Sequence, residues 1–289
     1  MSLSSDFRFS QGSLQDFVEC ARRFQLRHVD RLRWPAVDVS PALESEQYLR
    51  LGAAFHRLIH QQLLGFSVER LSSMATQPEL RRWWRNYLEA GPGNLPRDRH
   101  PEIALSAPLA GFQLVAQYDL IAIEEGKRAV IVDWKTNRVR PSSARLLDRL
   151  QTRVYPYLLV RAGAHLNGGA AMRPEQLRMV YWFANFPGVP EGYDYDDGRY
   201  QADHDLLTDL VTEIAQQVQE AAGRRLPRTA DERHCRYCGY RSLCRRGVEA
   251  GLLDEGGDAG VIERAGDLDL GPDFGFEFDF EQIAEADCG

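Results

Sequence analysis

The sequence predicts an α/β fold, a mixed central sheet flanked by helices, with helical segments at the two ends joined by cysteines. Three observations lead there. Two apolar, β-branched stretches at 112–123 and 131–136 are separated by Glu125-Gly126-Lys127, a turn signal, and read as a hairpin. Leu-Arg-Met-Val-Tyr-Trp-Phe-Ala at 177–184 reads as a further strand, and apolar stripes at helical spacing fill much of the remainder.

Taken in order, Ser13 is the expected N-cap of a helix over 14–28, whose stripe is Leu14, Phe17, Val18, Ala21 and Phe24. After Pro35 and Pro41 a second helix is expected over 43–64. Its apolar side carries Tyr48, Leu51, Phe55, Leu58 and Ile59, and His56 lies about 80° from Tyr48, at the edge of that side. A third helix over 81–90 holds Trp83, Trp84 and Tyr87. Aromatics among arginines can stack on bases, but at this spacing a core role is the better reading. Residues 92–101 read as a loop, and 102–109 as the first strand of a three-stranded meander. Ser142 or Ser143 starts a helix to 164, in which Pro156 removes a backbone donor and should kink the chain. Gln151 and Tyr155, four apart, share a face of it. A last helix is expected over 203–222.

The chemistry concentrates in Ile131-Val132-Asp133-Trp134-Lys135-Thr136. In a strand Asp133 and Lys135 point one way, while Val130, Val132 and Trp134 point the other. A turn centred on Gly126 sets Asp119 across from Asp133. Like charges opposed across a sheet are destabilising, and one of the pair takes up a proton unless a cation sits between them. A hard divalent ion is the simplest such cation. An Asp-x-Lys tripeptide on an edge strand is usually a solvated polar face. Against that reading stand the apolar flanks, the second aspartate, and the use of two lysines against 33 arginines in the whole chain. Lysine is a compact charge suited to a site beside a water or an oxyanion, where a guanidinium fits differently.

Asp119, Asp133-x-Lys135 and Gln151-x-x-x-Tyr155, with His56 in Leu51-Gly52-Ala53-Ala54-Phe55-His56, resemble the PD-(D/E)XK nuclease superfamily in its RecB-type branch. The family often has Gly shortly before the first Asp, where this chain has Ala116 and Gln117. The resemblance implies a restriction-endonuclease-like core. It further implies a metal-dependent DNA nuclease, with His56, Asp119, Asp133 and the Trp134 carbonyl holding one or two Mg2+ or Mn2+ ions. Lys135 would position a water, and Gln151 and Tyr155 would contact DNA or orient the catalytic group.

Five cysteines remain. Cys235-x2-Cys238-x5-Cys244 brings three thiolates to one point, and Cys20 can supply a fourth. Zinc accepts four thiolates, and His234 could replace one of them; disulfides are disfavoured in a cytosolic protein. The phrase around Cys20, Phe17 to Phe24, is similar to the opening of iron-sulfur RecB-type nucleases, although Ala21 stands where Pro is usual. That resemblance points to a 4Fe-4S cluster on Cys20, Cys235, Cys238 and Cys244, a structural staple across 215 residues. Cys288 is left without a role.

The net charge of −7 is uneven: residues 251–289 hold 12 acids against one Arg, so that segment carries −11 and residues 1–250 carry +4. The expected organisation is a nuclease domain over 1–250 and an acidic, disordered tail over 251–289. Alternating acid and Phe at 273–280 could dock a protein partner or fold over a nucleic-acid channel. No apolar run approaches the ~20 residues that span a bilayer, and no signal-peptide pattern opens the chain, so no membrane partner and a cytoplasmic location are expected. The function expected is hydrolysis of DNA phosphodiesters at single strands or ends, in repair, recombination or CRISPR adaptation. The layout is similar to that of CRISPR-associated RecB-like exonucleases. A non-catalytic iron-sulfur clamp on DNA is the alternative.

Overall fold

In the computed structural model the described residues are 2–32, 40–235 and 238–247, without side chains at 40–46. In chain order the elements are β1 (Arg8–Ser10), α1 (Gln11–Glu19), α2 (Ala21–Phe24), α3 (Ser40–Leu63), α4 (Val68–Met74), α5 (Pro78–Ala90), β2 (Asp98–Leu109), β3 (Phe112–Glu124), β4 (Arg128–Lys135), α6 (Ser143–Leu147), α7 (Leu150–Ala162), β5 (Leu177–Phe183), β6 (Glu191–Asp194) and α8 (Asp197–Ala221). The acidic tail and Cys288 lie outside the described residues.

The long strand β3 organises the sheet. Both of its neighbours in sequence pair with it antiparallel, giving the expected meander, and β5 then adds to β4 in parallel, with β6 on the outside. Since β2 runs along the whole of one edge, β1 and β4 must share the other. The first covers Gln113 to Val115 and the second covers Leu120 to Glu124. Residues 116–119 fall between them, so Asp119 sits at a notch in the middle of the sheet rather than on a continuous ladder.

Each face of the sheet buries its own apolar layer. One gathers Leu14 and Phe17 of α1, Val154 and Leu158 of α7 and Leu207, Val211 and Ile214 of α8 over Ile121, Ile131 and Tyr181. The other packs Phe55 and Ile59 of α3 and Leu80, Trp83 and Trp84 of α5 over Leu120, Val130, Val132, Trp134 and Trp182. The three-layer mixed α/β arrangement matches the predicted class, and the tryptophans of α5 are core residues: Trp83 is 0% exposed.

Several boundaries differ from expectation, each for a local reason. The first helix is capped by Ser10, not Ser13: the Ser13 backbone N–H donates to Ser10 Oγ (3.2 Å) and the Ser10 N–H to Ser13 Oγ (2.9 Å), a reciprocal box that starts the helix three residues earlier. It also stops at Cys20, whose backbone is extended (φ −164, ψ 105), before α2 and a π-helical stretch, Gln25–Val29. The expected helix over 142–164 is two helices separated at Asp148 and Arg149, with Ser142 capping the first and Pro156 inside the second. Asp196 caps α8, which begins at Asp197, six residues upstream of the expected start. β1 and β6, three and four residues long, carry too little periodicity to be read.

Candidate active site

The hairpin register follows the expected sum of 252: Leu120 pairs with Val132 and Ile121 with Ile131. One step further along, the backbone ladder gives way to a side chain, and the Trp134 N–H donates to Asp119 Oδ2 at 2.8 Å. The side-chain alternation of β3 changes phase there. Leu114, Ala116 and Tyr118 belong to the α7 side, then Leu120 to the α3 side, then Ile121 and Ile123 to the α7 side again. Asp119 is thereby turned toward α3.

His56 comes to meet it. Gly52, one turn earlier, lets α3 approach the end of β4: a Cβ there would lie 3.2 Å from Thr136 Oγ1. Tyr48 Oη donates to the Thr136 carbonyl, and Asn185 Nδ2 donates to the same carbonyl at 3.0 Å and to that of Asn137 at 2.9 Å. With the helix fixed in this way, His56 Nδ1 is 3.1 Å from Asp119 Oδ1. Burial disfavours the imidazolium, yet the charge and hydrogen bond of Asp119 prevail and hold His56 up at about 9. Burial likewise works against the Asp119 carboxylate, while His56, the Trp134 N–H and Lys135 pull it below the usual carboxylate range.

Asp133 and Lys135 point to the α7 side, as period two requires, and α7 supplies Gln151. Its Nε2 donates to Asp133 Oδ1 at 2.5 Å, and its Oε1 accepts from Lys135 Nζ at 3.0 Å. The ammonium also lies 3.1 Å from Asp133 Oδ2, a charge contact, and 5.7 Å from the Tyr181 ring centroid. Burial raises Asp133 to about 6, opposed by Lys135 and reinforced by the charge of Asp119. Tyr155, one turn beyond Gln151, is buried with its ring 4.7 Å from that of Tyr118, and its carbonyl accepts from Tyr118 Oη at 2.8 Å. The Trp134 ring is buried in the opposite layer, so only its backbone reaches the notch.

Sequence reasoning missed Glu102. Its carboxylate, that of Asp119 and the ring nitrogen of His56 present ligand atoms all within 4.8 Å of one another. Burial and then the Asp119 charge push Glu102 up to about 7. A signal was available: the turn at Ala110-Gly111, both at positive φ, closes the β2–β3 hairpin with a pair sum of 221, which sets residue 102 opposite 119. Burial is the first cause of both rises, and the Asp119 charge adds to each, so the three acids lie close enough for their charges to act on one another. Oxygen and imidazole donors at this separation suit a hard divalent ion such as Mg2+ or Mn2+.

A second feature lies elsewhere. Cys20, Cys235, Cys238 and Cys244 line one pocket together with His234, Arg23 and Arg241. Burial, with the neighbouring thiols Cys20 and Cys235 adding to it and Arg23 opposing, pushes the Cys238 thiol up to about 11. Both ring nitrogens of His234 face carboxylates at 3.5 Å, Glu19 and Asp231.

A family model, the PD-(D/E)XK nuclease superfamily, matches residues 8–245. No curated protein matches the chain. Among solved structures, that of SSO0001 is similar over 84% of this chain and 87% of its own, at 14% identity and a TM-score of 0.39. A candidate exonuclease from Eubacterium rectale is similar over 78% and 85%, at 10% identity and a TM-score of 0.44. Among the described residues no helix is long and apolar enough to cross a membrane.

Proposed function

The chain belongs to the PD-(D/E)XK nuclease superfamily, and on that premise we propose that it is a Mg2+- or Mn2+-dependent deoxyribonuclease of the RecB type, acting as an exonuclease on single strands or ends. The observation that carries the reading is that the His56–Asp119 pair and the Asp133–Gln151–Lys135 triad flank Trp134, whose N–H binds Asp119, closely enough for their charges to act on one another.

His56, Asp119, Asp133 and the Trp134 carbonyl would hold the metal. When bound, the ion acidifies a water and offsets charge that grows on the phosphate. The remaining work belongs to the protein. Gln151 fixes the Lys135 ammonium against Asp133, so the amine stands ready to orient the attacking water and to stabilise the oxyanion of the transition state. Gln151, Asp133 and the Tyr181 face hold it in place before substrate arrives. Tyr155, buried beside Tyr118, would orient the catalytic group through α7 or contact DNA. The Cys20, Cys235, Cys238 and Cys244 pocket would carry a 4Fe-4S cluster; His234, engaged by two acids, supports thiols as the donor set. Repair, recombination and CRISPR adaptation all suit a nuclease of this layout, and the acidic Phe-rich stretch at 273–280 would dock a protein partner.

Anaerobic purification followed by assays on end-labelled single- and double-stranded DNA with Mg2+, Mn2+ or EDTA tests the reading. Cleavage should require the metal, and Asp133→Ala or Lys135→Ala should lower it by at least about 10³-fold with the fold intact. Full activity in either variant would refute the assignment. DNA binding without metal-dependent cleavage by the wild-type protein would instead favour a clamp. A brown colour, with absorbance near about 400 nm, is the mark of the cluster; a colourless zinc-loaded protein would overturn that part alone.

A further inference from the structure

From the geometry of β2 we infer that Glu102 is a metal ligand of the notch, completing with His56 and Asp119 a three-residue donor set in which Asp119 is shared with the Asp133 side. The inference rests on the nuclease reading above and adds to its ligands a residue from a strand that the motifs do not include.

The backbone supplies the first reason. β2 and β3 pair with one register on both sides of Glu102, Pro101 with Leu120 and Ile103 with Tyr118, yet Glu102 and Asp119 themselves drop out of the ladder. No residue is inserted. Glu102 instead adopts φ +51, a left-handed conformation that disfavours any side chain with a Cβ and that Gly would adopt without cost. A glutamate is thus kept where glycine would fit the chain more easily. The second reason is electrostatic. The position directly opposes another acid across the sheet, an arrangement that destabilises a strand pair. Two unfavourable terms meet at one residue, and such residues cluster where their side chain has a task.

The side chain supplies the third. Gln117 Nε2 donates to Glu102 Oε2 at 2.8 Å and fixes how the carboxylate is turned. In that orientation Glu102, Asp119 and His56 offer one ligand atom each within 4.8 Å, a spacing that one hard cation spans. Asp119 reaches the set with Oδ1 toward His56 while Oδ2 is held by the Trp134 N–H, so its placement does not depend on the ion.

The test is Mn2+ binding, by titration calorimetry and by the electron paramagnetic resonance of free Mn2+, on full-length protein with its cysteine pocket undisturbed. Glu102→Gln should weaken Mn2+ binding tenfold or more while the metal-free protein melts at or above the wild-type temperature, because the charge opposed to Asp119 is gone. Glu102→Gly should weaken it at least as much and raise the metal-free melting temperature, because glycine relieves the backbone; this pairing of a gained stability with a lost affinity is not what a structural role would give. If Glu102→Gln binds Mn2+ like wild type while Asp119→Ala does not, Glu102 is no ligand and the nuclease reading stands. If wild type and Asp119→Ala bind Mn2+ equally weakly and neither cleaves DNA, both fall together.

Discussion

Gln151 touches both charged groups of the Asp-x-Lys strand, donating to one and accepting from the other, and this fixes the orientation of its amide as well as theirs. Gln151→Leu keeps the volume and removes both bonds. Because a displacement of about 1 Å at a reacting centre costs up to about 10²-fold in rate, the variant should lose kcat by roughly that factor with little change in KM for DNA. Single-turnover assays at saturating substrate check it, and an unchanged kcat would remove Gln151 from the site. A second buried residue bears on stability. Asp16 is 6% exposed and meets Arg23 Nε at 2.7 Å, His28 Nε2 at 2.9 Å and Arg27 Nη1 at 3.3 Å. Burial alone would raise its carboxyl, but the His28 hydrogen bond and the arginine charges bring it below 3.8. The stabilisation from the ionised group is therefore complete above that value and fades as pH falls through the folded-state pKa. Asp16→Asn should cost on the order of 3 kcal/mol at pH 7, and the gap in melting temperature from wild type should close as the pH drops below about 4.

At the level of elements, the site depends on how closely α3 approaches the end of β4, and Gly52 is the contact point. Gly→Ala inside a helix ordinarily stabilises by about 1 kcal/mol, but here the added Cβ meets Thr136 at 3.2 Å. Gly52→Ala should lower cleavage several-fold with the melting temperature level or raised, and Thr136→Ala added to it should restore activity. Failure of the second change to rescue would place the crowding elsewhere. The same helix explains what could be read in advance. Its stripe of Leu51, Phe55, Leu58 and Ile59 gives a helix and an inward face, and His56 at the edge of that face is legible. That the edge would overhang Asp119 is not, because it follows from the phase change in β3 and from the Asn185 and Tyr48 bonds that set the height of the helix. Glu102 was hidden for a related reason: a polar residue at the expected start of a strand looks like a solvated end, and only pairing carried four residues further back, to Asp98, places it in the interior of β2.

Over the whole molecule, direct hydrogen bonds tie the first and last described segments together. Gln25 Nε2 donates to the Arg224 carbonyl at 2.9 Å and its Oε1 accepts from the Leu226 N–H at 2.7 Å, while Arg22 N–H donates to the Pro227 carbonyl at 3.0 Å and Tyr240 Oη to that of Leu32 at 2.8 Å. Cys20→Ser should therefore abolish the colour of the proposed cluster and lower the melting temperature, yet leave the far-UV circular dichroism of the sheet in place; global unfolding of that variant would mean that the pocket alone joins the ends. The sequence by itself determined the class of fold, the hairpin register through its turn and which residues of β4 share a side, since each follows from local period or from a turn fixing a pair sum. Only the tertiary structure decided that the notch opens between β1 and β4, that Glu102 leaves the ladder there at positive φ, and that Cys20 interrupts its helix beside the pocket. Those depend on which distant strands share an edge, and no local pattern carries that information.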